Sequence, residues 1–206
     1  MRLQHIISNP KKSIIVGLAI ARGCYYIIKY RLIYNKIRIQ YPFRAYAPVK
    51  IIGNGSVFID KGCSVYKNAF NGLTIVTLSS DAKVLIGKDC ALGGLTVRCR
   101  NQISIGDRTI TAYSLVQDDF LINREKINII NNNIITAKTD TIIIRENVWL
   151  GGRSIVLGGC VIGKDSVLSL GSLCYDTTIS DYSLVTSSPV KRCLPIDKIL
   201  LLKGER

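Results

Sequence analysis

An aliphatic residue recurs at every sixth position, five times running, along residues 144 to 168: Ile144, Leu150, Val156, Ile162 and Leu168. Four places after each stands a small or modest residue, namely Val148, Ser154, Cys160, Ser166 and Ser172, while Gly151 and Gly163 directly follow two of the aliphatics. A strand changes face every two residues and a helix repeats every three or four, so a strict six fits neither. It fits a coil whose short straight sides meet at tight corners, each aliphatic pointing inward and stacking on its equivalent in the next coil. The small residue fills the remaining corner, and Gly, Asn and Asp at the turns accept left-handed backbone at low cost. The same period surfaces in fragments elsewhere, from Ile59 to Val65, Ile86 to Leu92, Ile105 to Thr111 and Ile179 to Val185. Stacked coils pair their backbones as parallel strands, and a continuous ladder of that kind suits a chain of 206 residues with only four Phe and one Trp.

The N-terminal quarter has another character. Between Met1 and Lys50 stand ten basic residues and no acid, the first carboxylate being Asp60, so ten of the fourteen net positive charges lie there. Residues 11–40 mix Ile14, Ile15, Val16, Leu18, Ile20, Tyr25, Tyr26, Ile27, Ile28, Tyr30, Leu32, Ile33 and Tyr34 with Lys and Arg, which predicts one or two helices, apolar on one side and basic on the other. Such a helix suits an anionic membrane surface, where each basic residue contributes on the order of 1 kcal/mol. A helix packed on the main domain or on a neighbouring subunit accounts for the same pattern. No nucleic-acid motif accompanies the interleaved tyrosines, so nucleic acid is not an expected partner. The uncharged run from Ser13 to Ala21 is about half the length needed to cross a bilayer, so no transmembrane helix is expected. Arg22 before Gly23 and Cys24 spoils a signal-peptide cleavage site, and the segment is read as retained. The resulting division is a basic amphipathic helical segment at 1–48, a coil domain at 49–190 with a loop at about 118–141, and a C-terminal tail at 191–206, expected to be helical.

Seven cysteines, widely spaced and without a Cys-x-x-Cys pair, predict buried apolar thiols in a reducing cytoplasm rather than a disulfide framework or a metal site. One histidine, His5, is all the chain holds, which excludes a triad, a histidine base or a histidine-rich metal site built downstream of it.

The segment from Ile144 to Pro189 resembles the left-handed β-helix, hexapeptide-repeat acyltransferases. Ile144 to Gly152 (Ile-Arg-Glu-Asn-Val-Trp-Leu-Gly-Gly) is similar to that family's Ile-Gly-Asp-Asn-Val-Trp-Ile-Gly-Ala, Leu168 to Leu173 to its Ile-Gly-Ala-Gly-Ser-Val, and Ser188-Pro189-Val190-Lys191 to the Asn-Pro-Ala-Lys after its last coil. The resemblance implies an all-β solenoid, a left-handed parallel β-helix, assembled as a homotrimer with acyl-CoA in the groove between subunits. The implied reaction is O-acetyl transfer from acetyl-CoA to a sugar hydroxyl of a surface polysaccharide or lipopolysaccharide; residues 1–45, which the resemblance does not cover, are expected to hold the protein at the inner face of a membrane. Corners bearing Gly151, Gly152, Gly158 and Gly171 are expected to leave backbone amides open to a thin pantetheine arm, and Arg153, Lys191 and Arg192 to meet its phosphates.

Members of that family mostly carry a histidine just before the loop, as base for the acceptor. Here the stretch is Leu115-Val116-Gln117-Asp118-Asp119-Phe120-Leu121, without histidine. Losing a general base typically removes a factor of roughly 10² to 10⁴ in rate. Three alternatives stand: Asp118 or Asp119 as base, with a carboxylate pKa that burial or their paired charge would have to raise; a catalytically silent trimer acting as scaffold or as binder of a glycan or sugar nucleotide; and His5 returning, from a neighbouring subunit or its own. Zinc hydration chemistry, known in some relatives, needs three histidine ligands and is excluded; no metal is expected.

Overall fold

A computed structural model describes residues 10–66, 72–118, 141–186 and 193–195. One long helix, α1 (Pro10–Ile33), precedes a run of short strands that fall in turn into three sheets. The first sheet stacks seven strands, β1 (Ile37–Ile39), β4 (Ser56–Ile59), β7 (Lys83–Ile86), β10 (Gln102–Ile105), β13 (Ile142–Ile144), β16 (Val161–Ile162) and β19 (Thr178–Ile179). The second runs from β2 (Arg44–Ala45) to β20 (Ser183–Val185), and the third from β3 (Val49–Ile52) to β18 (Leu173–Cys174). Every pairing between coils is parallel and joins strands three apart in sequence. The chain is thus a left-handed parallel β-helix, the fold class expected.

The register explains the repeat. Ile144 sits over Ile105 and under Ile162, and Leu150 over Thr111 and under Leu168. The five repeat aliphatics, and the five residues four places after them, are all buried. Hydroxyls are satisfied in place: the Ser166 hydroxyl donates to the Ser180 carbonyl at 3.1 Å and accepts from the Ser183 amide at 3.1 Å. Five of the cysteines, Cys63, Cys90, Cys99, Cys160 and Cys174, are buried free thiols, as anticipated.

Three expectations change. The β-helix begins at Ile37 rather than 49: Ile37 to Ile39 already pair with Val57 to Ile59, and Phe43 fills the centre of this first coil. At the other end, Cys193–Pro195 is not helical but a strand, β21, antiparallel to β20. The rest of the tail lies outside the described residues. Finally, α1 carries apolar residues almost all round, and its packed and exposed faces are arranged differently from the apolar and basic halves expected. Ala19, Gly23 and Tyr30 pack on the first coil, with Tyr26, Ile27 and Tyr34 beside them. The Tyr30 hydroxyl donates to the Val49 carbonyl at 3.0 Å and accepts from the Ile51 amide at 2.9 Å, covering backbone groups that no earlier coil pairs. The helix is continuous past Arg22, and Lys12–Ile33 is long and apolar enough to cross a membrane by length and composition.

Candidate functional site

Each coil turns three corners, and the corners differ in composition. Between the first and second sheets the left-handed residue is Gly62, Asp89, Arg108, Asn147, Asp165 or Tyr182 in successive coils. Between the second and third it is Gly94, Tyr113, Arg153 or Gly171. Four of the expected ligand-binding residues, Gly151, Gly152, Arg153 and Gly171, therefore stack on one corner in two consecutive coils. In the sequence they belong to separate motifs; a coil length of 18 residues from Ile144 to Ile162 superimposes them.

The geometry of that corner corrects one expectation. The amides of Gly151, Arg153 and Gly171 are not open to a ligand: they donate to the carbonyls of Leu168, Tyr113 and Gly152 at 2.8, 2.8 and 2.9 Å. Stacking coils consume N–H groups as their own ladder, so the corner offers shape and charge instead. A Cβ at Gly151 would collide with the Leu168 carbonyl, and Gly171, at φ +69°, would strain any L side chain. Gly152 is more permissive, since a Cβ there would meet only the flexible end of Leu170 at 2.9 Å and the Ala112 carbonyl at 3.5 Å. Behind the edge, the Ser154 hydroxyl donates to the Ser114 hydroxyl at 3.1 Å, and the Ser172 hydroxyl to the Ser169 carbonyl at 2.9 Å, fixing the turns. Outside it stand the exposed Arg153 side chain, Tyr113, and Leu170 at 77% exposure.

The other candidates lie one side of the prism away, at the corner between the third and first sheets. Asp118 is fully buried. One carboxylate oxygen accepts from the Arg100 amide at 2.6 Å, the other from the Asn101 amide at 2.8 Å and from the Cys99 thiol at 3.4 Å. Turned inward and held by the coil beneath, this carboxylate secures its corner and is closed to an acceptor. Burial, together with the Asp118 charge, pushes the Cys99 thiol up to about 12. Gly158 sits on this same corner, one coil on, accepting from the Asp176 amide at 3.1 Å. Asp119, Lys191, Arg192 and His5 lie outside the described residues.

Between the two corners runs the outer face of the third sheet, and there Arg98 was missed. It pairs in register with Gln117, and its Nε is buried with no hydrogen-bond partner among the described residues. The alternation in Leu95-Thr96-Val97-Arg98-Cys99 contained the signal, because Val97 pointing inward forces Arg98 outward. Among the described residues no group of His, Cys, Asp and Glu could hold a metal ion.

No family model and no curated protein matches this chain. Similar solved structures exist at low identity. A hexapeptide-repeat acetyltransferase of Vibrio cholerae is 17% identical, with 84% of this chain and 79% of that one covered and a TM-score of 0.41. A mutant of AntD, an N-acyltransferase from Bacillus cereus solved with a dTDP-amino sugar and coenzyme A, is 20% identical over 82% and 87%, with a TM-score of 0.45. A hexapeptide transferase family protein of Anaplasma phagocytophilum is 18% identical over 79% and 85%, with a TM-score of 0.37.

Proposed function

We propose that the protein is an acyltransferase that moves an acetyl group from acetyl-CoA to a sugar hydroxyl in surface polysaccharide or lipopolysaccharide assembly. The observation that carries this reading is the stacking of Gly151, Gly152 and Arg153 with Gly171 on one corner of consecutive coils. The result is a thin edge with one exposed guanidinium, the shape and charge that suit a pantetheine arm and its phosphates. In the reaction the hydroxyl oxygen bonds to the thioester carbonyl carbon, the carbon–sulfur bond breaks, and coenzyme A departs as the thiol with the proton the hydroxyl gives up. A homotrimer fits the exposed Ile110 and Trp149, which are adjacent on the outer face of the second sheet and would be covered by neighbouring copies.

A second reading is favoured by one observation: Asp118 is committed to backbone amides, and the chain's single histidine is His5. On that reading the trimer binds a glycan or sugar nucleotide, or serves as a scaffold, without turnover. Calorimetry with acetyl-CoA, followed by release of free coenzyme A on addition of saccharide acceptors, separates the two. Binding with thiol release is expected. Undetectable binding at millimolar ligand overturns the transferase reading, and binding without release from any acceptor supports the second.

A further inference from the structure

The exposed face of α1 remains unused by the fold and by the function proposed above. Ile14, Leu18, Ala21, Tyr25, Ile28 and Leu32 recur at spacings of four and three, and all six are exposed, Leu32 at 78%. They form one apolar stripe along the helix, on the side opposite Ala19, Gly23 and Tyr30. Exposed Arg22 flanks the stripe on one side with Lys29, whose Nζ lies 5.8 Å from the Tyr25 ring centre and 5.5 Å from that of Tyr30; exposed Arg31 flanks it on the other.

We propose that this stripe lies flat in the headgroup layer of an anionic lipid bilayer, with α1 acting as an in-plane docking helix between membrane and β-helix. Two alternatives meet obstacles in the sequence and the fold. The spacing of four and three also suits a coiled-coil seam with a second copy. In such a pair the flanking positions would bring Arg22, Lys29 and Arg31 together with no carboxylate to oppose them, because no acid precedes Asp60. A spanning helix would have to strip its back face from the first coil, breaking the Tyr30 hydrogen bonds to Val49 and Ile51 and the close seat of Gly23 on the Phe43 carbonyl. A bilayer bearing negative headgroups accepts the apolar stripe and both basic flanks while leaving the packed face where it is.

Sedimentation of the full chain with vesicles tests this. It is expected to bind mixed phosphatidylglycerol and phosphatidylcholine vesicles, to bind pure phosphatidylcholine far less, and to be released by salt or by alkaline carbonate. Leu18→Ser with Ile28→Ser should weaken binding at least tenfold, and Arg22→Glu with Arg31→Glu by about fivefold or more per charge at low salt. Both pairs are exposed, so the melting temperature reports that the fold is intact. Absence of binding to anionic vesicles overturns the proposal. So does equal, salt-independent binding to neutral vesicles, or retention through a carbonate wash, which marks a spanning helix. Self-association abolished by Leu18→Ser and Ile28→Ser in the absence of lipid binding assigns the stripe to a second copy instead.

Discussion

The coils before residue 119 and those after residue 140 solve one packing problem with different interiors; the loop expected at about 118–141 lies outside the described residues. From Val148 to Ser172 each side is two or three residues long and turns inward one aliphatic and one small residue, and Ile144 advances to Ile162 in 18 residues. Before residue 119 the first sheet turns two aliphatics inward per strand, as with Val57 and Ile59, Val84 and Ile86, or Ile103 and Ile105. There Ile59 advances to Ile86 in 27 residues and Ile86 to Ile105 in 19, and β6 (Leu73–Thr77) runs to five residues. In these earlier strands the inward place two residues before the repeat aliphatic, taken later by Ser154 or Cys160, holds a second aliphatic such as Val84 or Ile103. The comparison separates two sources of stability: apolar area in the earlier coils, and hydrogen-bonded small residues at the corners of the later ones.

The largest effect expected of a single change is in the earlier half. Ile105→Ala should cost about 2–5 kcal/mol in chemical denaturation, the range for truncating a buried aliphatic. A loss below about 1 kcal/mol would remove the apolar-area side of the comparison. At the junction of the halves, Asp118→Asn leaves an amide group facing the Arg100 or Asn101 amide and should cost about 2 kcal/mol. Because the carboxylate faces inward, affinity for acetyl-CoA should not change; abolished transfer with unchanged stability would restore Asp118 as a base. In the later half, Ser166→Ala orphans the buried Ser183 amide and should cost about 1–2 kcal/mol, measured in the same denaturation series.

The smallest effect is alkaline. Cys99, at about 12 in the folded chain, ionises at its ordinary value near 9 once unfolded. Its contribution to stability is complete below pH 9 and is lost as pH rises from 9 toward 12, because the unfolded state gives up the proton first. Burial raises Cys160 in the same direction. Melting temperatures across that range should fall, and Cys99→Ala should flatten the fall; an unchanged slope would place the alkaline sensitivity elsewhere.

How much of this was legible follows from the same physics. The later coils were readable because Ile144 through Leu168 keep step with the geometry, and the corner at Gly151 to Arg153 came with them. The first coil was hidden although Ile39, Ala45 and Ile51 keep the same spacing of six, because basic and tyrosine residues continue across Ile37 and mask the change from helix to coil. The inward turn of Asp118 was not readable, since it depends on amides one coil below, 17 and 18 residues earlier in the chain. The occupation of the corner amides was hidden for the same reason: a ladder partner is set by register, which no local pattern displays.

The central claim is that the stacked glycine corner with Arg153 receives an acyl-CoA. Arg153→Asn tests it most directly, because asparagine tolerates the left-handed backbone at φ +58° while removing the charge. Titration of coenzyme A by calorimetry should show about a tenfold loss of affinity at an unchanged melting temperature, as expected for one charge-assisted phosphate contact. Equal affinity in the two proteins would contradict the account.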